Sequence, residues 1–419
     1  MGEYNLKNTP VWGMLSAYGR RVDFLTHGVL GQTAEARADA YRFNATLGEA
    51  REKGGPMYLT SMHRQFSGVS PQEVYPYAHP AGLPRLCALW EEKALRENPA
   101  MEDKKTGTPV VTAGLTHGLS LVGSLFLDPG DPVLLHDKHW ENYDLIFGDC
   151  CCGEVRQYST FSEGHFNWKG LQQLLEGCGE KALVVLNFPN NPTGYMPDRE
   201  EALQIAAVLR AAAEAGKKLT VLCDDAYYGF WYADGILRES LFGILTGLHP
   251  NVLTIRLDGA TKEYFAGGLR LGFLTFGGQP EEVLEDLRRK TTGAIRISVS
   301  SAGRFSQQML CDALESEEVF KELQQKKEIL EDRGRAAIAL CQQGSGKGLW
   351  TAYPFRAGYF ICLRVEADAE RLRRHLLQDY GIGVIALNDR DIRIALPCLE
   401  TEELTFLMSC LDQAIDEVR

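Results

Sequence analysis

The chain has 419 residues, 45% hydrophobic and 24% charged, with 42 glycines and 17 prolines. That is globular composition, long enough for two or three folding units and free of tracts biased toward disorder or fibrous repeats. Asp and Glu outnumber Lys and Arg by 56 to 44, a net charge of −12 that argues against nucleic acid as the main ligand, and the eleven scattered cysteines, without a C-x-x-C pair, fit reduced thiols in a cytoplasmic protein better than a disulfide framework.

The N-terminal run MGEYNLKNTP has neither the basic nor the apolar region of a secretory signal, and Leu6 breaks the myristoylation pattern. No apolar run approaches the roughly 20 residues that span a bilayer, so no membrane association is expected. Residues 1–60 read as irregular structure with short helices, ending in the Gly-rich stretch 53–56. Residues 83–95 carry helical periodicity, and the β-branched run 110–112 stops at Gly114. Strand-like runs at 132–136, 182–188, 219–223, 251–257 and 271–276 then alternate with helical ones such as 198–215, the pattern of an α/β fold with a mainly parallel sheet. Between them, Cys150-Cys151-Cys152 reads as small buried hydrophobes; side chains that alternate along a strand cannot gather three thiols on one metal, and no metal site is expected. From 280 to 341 the chain reads as a long helical region. A strand at 358–365, a helix at 367–380, a strand at 391–396 and a helix at 402–418 follow, giving a second, smaller α+β domain.

Three strand ends carry the chemistry. Phe188-Pro189-Asn190-Asn191-Pro192-Thr193-Gly194 follows the run 182–188, at the place where open α/β sheets bind ligands, though the same residues also suit a plain turn. Val221-Leu222-Cys223-Asp224-Asp225 ends an apolar strand on two carboxylates, either of which could simply cap a helix. Asp258-Gly259-Ala260-Thr261-Lys262 sets a lysine past a third strand, followed by Arg270; a lone lysine is usually a solvated charge. Together they supply what pyridoxal phosphate (PLP) requires: an amine for a Schiff base (Lys262), an acid to keep the ring nitrogen protonated (Asp224), and a forked donor for phosphate (Arg270).

On these motifs the sequence resembles the fold type I PLP enzymes, specifically the class I/II aminotransferases of the aspartate and aromatic branch, from about Phe43 to the C-terminus. The resemblance implies a mainly parallel seven-stranded sheet with helices on both faces, plus a smaller α+β domain built from the two termini. The expected division is an arm and part of the small domain at 1–62, a large cofactor domain at 63–300 and the rest of the small domain at 301–419. It assigns the covalent link to Lys262, the ring-nitrogen partner to Asp224, and the ring-oxygen contacts to Tyr227 and Asn191. In Thr112-Ala113-Gly114-Leu115-Thr116, the N–H groups of Leu115 and Thr116 would meet the phosphate at a helix N-terminus, helped by Thr261. Trp140 matches the aromatic stacked on the ring, against the alternative of a core tryptophan. Tyr77 would reach the phosphate of a neighbouring subunit, which implies a homodimer with shared sites. Arg393 would hold the substrate α-carboxylate, and Gly48 lies in the loop that closes over substrate.

The implied reaction is a ping-pong transfer of an amino group between an L-amino acid, acidic or aromatic, and a 2-oxo acid. Arg296 resembles the arginine that reads a distal carboxylate from the neighbouring subunit; the competing reading is an interface or helix-flanking arginine, since the Asn-Pro-Pro that follows it in the family is missing here. Gly259 stands where many relatives carry a phosphate-binding serine, and Leu86-Cys87 where Leu-Arg is usual, a difference attributed to packing. A PLP-dependent lyase or decarboxylase on the same fold is the alternative, as is the sensor domain of a transcription regulator.

Overall fold

The computed structural model describes residues 6–22 and 28–419. Residues 1–5, part of the stretch read for targeting signals, lie outside that range. No helix among the described residues is long and apolar enough to cross a membrane.

Seven strands form the central sheet: β1 (Val110–Thr112), β2 (Pro132–His136), β3 (Glu154–Tyr158), β4 (Lys181–Asn187), β5 (Lys218–Asp224), β6 (Val252–Asp258) and β7 (Gly272–Gly277). Their spatial order is β1-β7-β6-β5-β4-β2-β3, and only β7 runs antiparallel to its neighbours. The side chains of β4 alternate between two cores. Leu183 and Val185 pack on one face with Leu119 and Val122 of the helix after β1, while Val184 and Leu186 pack on the other with Ile205 and Leu209 of the helix after β4.

The helices that matter for the site are α1 (Val29–Asp39), α2 (Pro84–Glu97), α3 (Leu115–Phe126), α4 (Arg199–Glu214), α5 (Glu281–Ser298), α6 (Arg304–Leu314), α7 (Glu317–Gln343), α8 (Ala369–Tyr380) and α9 (Thr401–Val418). Helix α4 starts where the sequence supplies a capping box: Asp198 accepts from the Glu201 N–H at 2.8 Å and Glu201 reaches back to the Asp198 N–H. The helical region expected at 280–341 is three helices, α5 to α7. Leu86 and Cys87 are both buried on α2, as packing requires.

A second, four-stranded antiparallel sheet is built from β8 (Trp350–Ala352), β9 (Phe360–Val365), β10 (Ile385–Ala386) and β11 (Asp391–Ala395), in the order β8-β9-β11-β10. Helices α8 and α9 cover it, burying Leu372, Leu376, Leu407 and Leu411. The N-terminal part of the chain joins this unit: Phe43 and Asn44 pair in parallel with Ile382 and Gly383. The Gly-rich stretch at 53–56 turns a short hairpin between Arg51–Glu52 and Gly55–Pro56.

Cys150-Cys151-Cys152 does not lie on a strand and is not buried. The three residues end a helical stretch, Asp144–Cys150, and all are half-buried. Arg21 Nη2 lies 3.1 Å from Cys152 Sγ. The expectation fails because Asp144 to Cys150 wind as one wide helix before β3 begins.

Candidate active site

Each candidate side chain leaves the central sheet at a strand's end or joins the cavity from the second sheet. Asp224 is the last residue of β5 and pairs in register with Asn187, the last residue of β4. The Asn187 amide ties the two ends together, donating to the Asp224 carbonyl at 2.9 Å and accepting from the Asn191 N–H at 2.8 Å. The turn 188–194 is stiffened by Asn190, whose side chain accepts from Thr193 N–H (3.1 Å) and Oγ1 (2.6 Å) and donates to the Lys138 carbonyl (3.1 Å). Its Phe188-Pro189 and Asn191-Pro192 peptide bonds are both cis. Asn191 is thereby fixed over the end of β4.

Lys262 follows β6, one strand over from Asp224, and is half-buried with its Nζ donating to the Gly48 carbonyl. Desolvation in the cavity, then the positive charge of Arg270, push its pKa down to about 8. Directly after it, Glu263 is buried between Lys93 (2.9 Å) and Lys327 (3.1 Å); burial opposes its ionisation, but the two ammonium groups hold its pKa at about 2. The turn bearing Lys262 is therefore clamped by α2 and α7.

Asp224 is 2% exposed. Its Oδ2 accepts from the Tyr143 hydroxyl at 2.6 Å and its Oδ1 from the Ala226 N–H at 3.0 Å. Desolvation, helped by the neighbouring Asp225 carboxylate, still raises its pKa to about 6. Tyr227 is buried beside Asn191, with its phenol pKa raised by burial and pulled back by Arg393 and the Asn191 amide.

At the other end of the cavity, β1 turns into α3 at Gly114 (φ 87°), a backbone conformation that favours glycine, and a Cβ there would lie 2.6 Å from Arg270 Nη2. The N-terminus of α3, with Leu115 and Thr116, opens beside Thr261 and Arg270. A Cβ on Gly259 would stand 2.6 Å from the Leu271 carbonyl and 2.9 Å from Leu115 Cδ1. The backbone at 259 is thus packed against the α3 entrance, leaving no room for the serine of relatives.

From the second sheet, β11 contributes Arg393, 4% exposed. Its Nη1 donates to Asn191 Oδ1 and its Nη2 to the Thr46 carbonyl, both at 3.2 Å, and Phe360 packs under the guanidinium at 4.3 Å. Its Nε is buried with no hydrogen-bond partner.

One cavity of about 340 Å³ joins these groups. Gly48, Leu115, Thr116, Trp140, Asn191, Asp224, Tyr227, Thr261, Lys262, Arg270 and Arg393 all line it. Tyr77 and Arg296 do not: Tyr77 is 92% exposed, and Arg296 sits exposed at the end of α5, donating to Ser300 Oγ at 2.9 Å. Sequence reasoning passes over Tyr143, Asn187, Thr46 and the α1 residues Val29, Leu30 and Thr33. Tyr143 lies three residues beyond Trp140, the spacing of one helical face, which is the signal that could have found it.

The residues present fit PLP. A buried carboxylate without a cation suits a protonated ring nitrogen, a helix N-terminus beside Arg270 suits a phosphate, and the unpartnered Arg393 Nε suits a carboxylate. Among the described residues no group of three or more His, Cys, Asp or Glu could hold a metal ion.

Residues 68–411 match the sequence family described as aminotransferase class I and II. The chain is 29% identical over 249 residues to a probable aspartate/prephenate aminotransferase of Aquifex aeolicus, spanning 57% of this chain and 56% of that protein. To the cytoplasmic aspartate aminotransferase of Gallus gallus it is 24% identical over 408 residues, 92% and 95% of the two chains. A crystal structure of an aminotransferase from Anaerococcus prevotii superposes with a TM-score of 0.84 at 22% identity, covering 95% of this chain and 98% of that one. Aspartate aminotransferase from Thermus thermophilus with maleate superposes at 0.74, with 20% identity over 96% of this chain and 99% of that one. With the family match covering most of its length, the chain belongs to the class I and II aminotransferases, PLP-dependent transaminases acting on amino acids and oxo acids.

Proposed function

We propose that this aminotransferase works as a homodimer in the cytoplasm, moving an amino group between an acidic or aromatic L-amino acid and a 2-oxo acid. The observation that carries the reading is the convergence of Lys262, Asp224 and Arg393 on one cavity with the α3 N-terminus. When bound, the cofactor supplies an electrophilic carbon and an electron-withdrawing ring. Asp224 would face the ring nitrogen, Tyr227 and Asn191 would donate to the ring oxygen, and Trp140 would lie against the ring. The Leu115 and Thr116 N–H groups, the Thr261 hydroxyl and Arg270 hold the phosphate.

Arg393 grips the α-carboxylate and so fixes the direction of the Cα–H bond. Lys262 Nζ would take the Cα proton and return it on the same side; a pKa near 8 keeps a useful fraction of the free amine neutral at physiological pH. Val29, Leu30, Leu47 and Phe360 line the mouth with apolar surface that limits water.

Two features support a shared site: Tyr77 is exposed and outside its own cavity, and Arg296 likewise. In the second copy they reach the phosphate and the distal carboxylate. The strand pairing of 43–44 with 382–383 supports residues 1–62 and 301–419 as one small domain against a cofactor domain of 63–300. The free thiols fit a reducing compartment.

The test is a scan of amino acids and oxo acids against the purified holoenzyme, following the absorbance change between aldehyde and amine forms of the cofactor. Acidic or aromatic substrates giving the fastest half-reaction support the reading; a preference for small aliphatic ones refutes the substrate class. Hydride reduction should fix the cofactor on Lys262, and label on another residue refutes its assignment.

A further inference from the structure

Each of the five consecutive carbonyls of the segment 45–49 has a donor within reach, two of those donors being the site residues Lys262 and Arg393. Ala45 O accepts from the Ala395 N–H at 2.8 Å, Thr46 O from Arg393 Nη2 at 3.2 Å, and Gly48 O from Lys262 Nζ. The remaining two belong to one side chain: Cys398 Sγ lies 2.8 Å from Leu47 O and 3.1 Å from Glu49 O, on both sides of Gly48. The segment has little slack, since a Cβ on Gly48 would stand 3.2 Å from Phe360 Cζ and 3.4 Å from Lys262 Nζ.

Two of these side-chain donors have other work. Under the function proposed above, on which this inference rests, Lys262 is engaged by the cofactor and then by the substrate proton, and Arg393 by the substrate carboxylate. The Gly48 and Thr46 carbonyls lose their donors in those states. The Cys398 thiol takes no part in the chemistry and is buried just past Arg393's strand, five residues further along the chain.

We propose that Cys398 is a positioning residue: the side-chain pin that keeps the 45–49 segment over the substrate while Lys262 and Arg393 are occupied. A thiol carries one proton, so it serves the Leu47 and Glu49 carbonyls in turn and tolerates small shifts of the loop between them. Its loss leaves the loop held in the resting holoenzyme, where Arg393 and the Ala395 N–H remain as donors, and loosens it when substrate takes Arg393 as well.

The test compares Cys398→Ala and Cys398→Ser with wild type. The alanine variant should raise KM for the amino acid about fivefold, the scale of one lost neutral hydrogen bond, with kcat within about twofold. Serine, which keeps a donor, should restore KM to within about twofold of wild type. Amide hydrogen exchange over residues 44–50, read on the holoenzyme without and with a saturating unreactive amino acid analogue, should rise at least about threefold in Cys398→Ala only with the analogue bound. An alanine variant with wild-type KM and exchange overturns the proposal. So does exchange raised equally in both states, or a serine variant that behaves as alanine. Exchange needs no turnover: a wild-type protein inactive with every amino acid counts against the transaminase reading, whereas unaltered exchange counts against the pin.

Discussion

Lys262 owes its reactivity to what surrounds it. Its pKa of about 8 means that the neutral amine, the form that attacks an aldehyde, grows as pH rises through that value and is nearly complete one to two units above it. Cofactor capture by the cofactor-free protein should therefore accelerate up to about pH 9 to 10 and then level off. Stopped-flow absorbance measures this, and a rate flat from pH 6 to 9 contradicts it. Lys262→Ala should lose covalent capture and turnover while its circular dichroism stays unchanged. Asp224 works with the opposite sign. Its carboxylate is needed charged, so cofactor affinity should fall as pH drops through about 6. In Tyr143→Phe the charged form loses its 2.6 Å donor, the acid's pKa rises further, and that fall should start about one unit higher. Fluorescence titration of cofactor against pH distinguishes the two proteins. Asp224 and Lys262 were legible in the sequence because each stands at or just past the end of an apolar strand run, and Arg393, mid-strand in β11, only through the family resemblance; the structure brings all three to one cavity. Tyr143 and Cys398 were not legible, since a phenol or thiol serving another side chain or a loop carbonyl leaves no pattern of its own.

The strands that carry the site were also the most legible elements. The expected runs at 182–188, 219–223 and 251–257 agree with β4, β5 and β6 to within one residue at each end, because strands buried on both faces read as continuous apolar runs. The edge strand β3, Glu-Val-Arg-Gln-Tyr, went unread: one side faces solvent and its polar residues hide the strand. The breaks between α5, α6 and α7 were missed, although the Ser- and Gly-containing run 299–303, free of Glu and Lys, marks the first of them. Packing between elements also explains Gly259. Gly259→Ser should fail to add a phosphate ligand, because its Cβ would meet the Leu271 carbonyl at 2.6 Å and push β7 away from α3. A stability loss of about 1–3 kcal/mol in denaturant unfolding is expected. A variant as stable as wild type with tighter cofactor binding contradicts this account.

For the molecule as a whole, the proposed reading has the exposed Tyr77 and Arg296 serve the site of a second copy. Light scattering should return twice the chain mass at micromolar concentration. Arg296→Ala should raise KM for dicarboxylic substrates at least about tenfold and leave aromatic ones within about twofold, the scale of losing one charged contact. Equal effects on both classes would assign Arg296 to the interface alone. Asp224 ends β5, and Lys262 lies four residues past the end of the adjacent parallel strand β6, on the turn that follows it. The span between acid and amine is thus set by the hydrogen-bonded spacing of the sheet, about 4.8 Å per strand, together with the clamped turn that carries Lys262. Val29 and Leu30, which line the cavity, and Arg296, which the proposed reading assigns to the distal carboxylate, lie on helices outside the sheet. Selection can therefore exchange one preferred substrate for another by altering surface helices while the bond-making machinery keeps its dimensions.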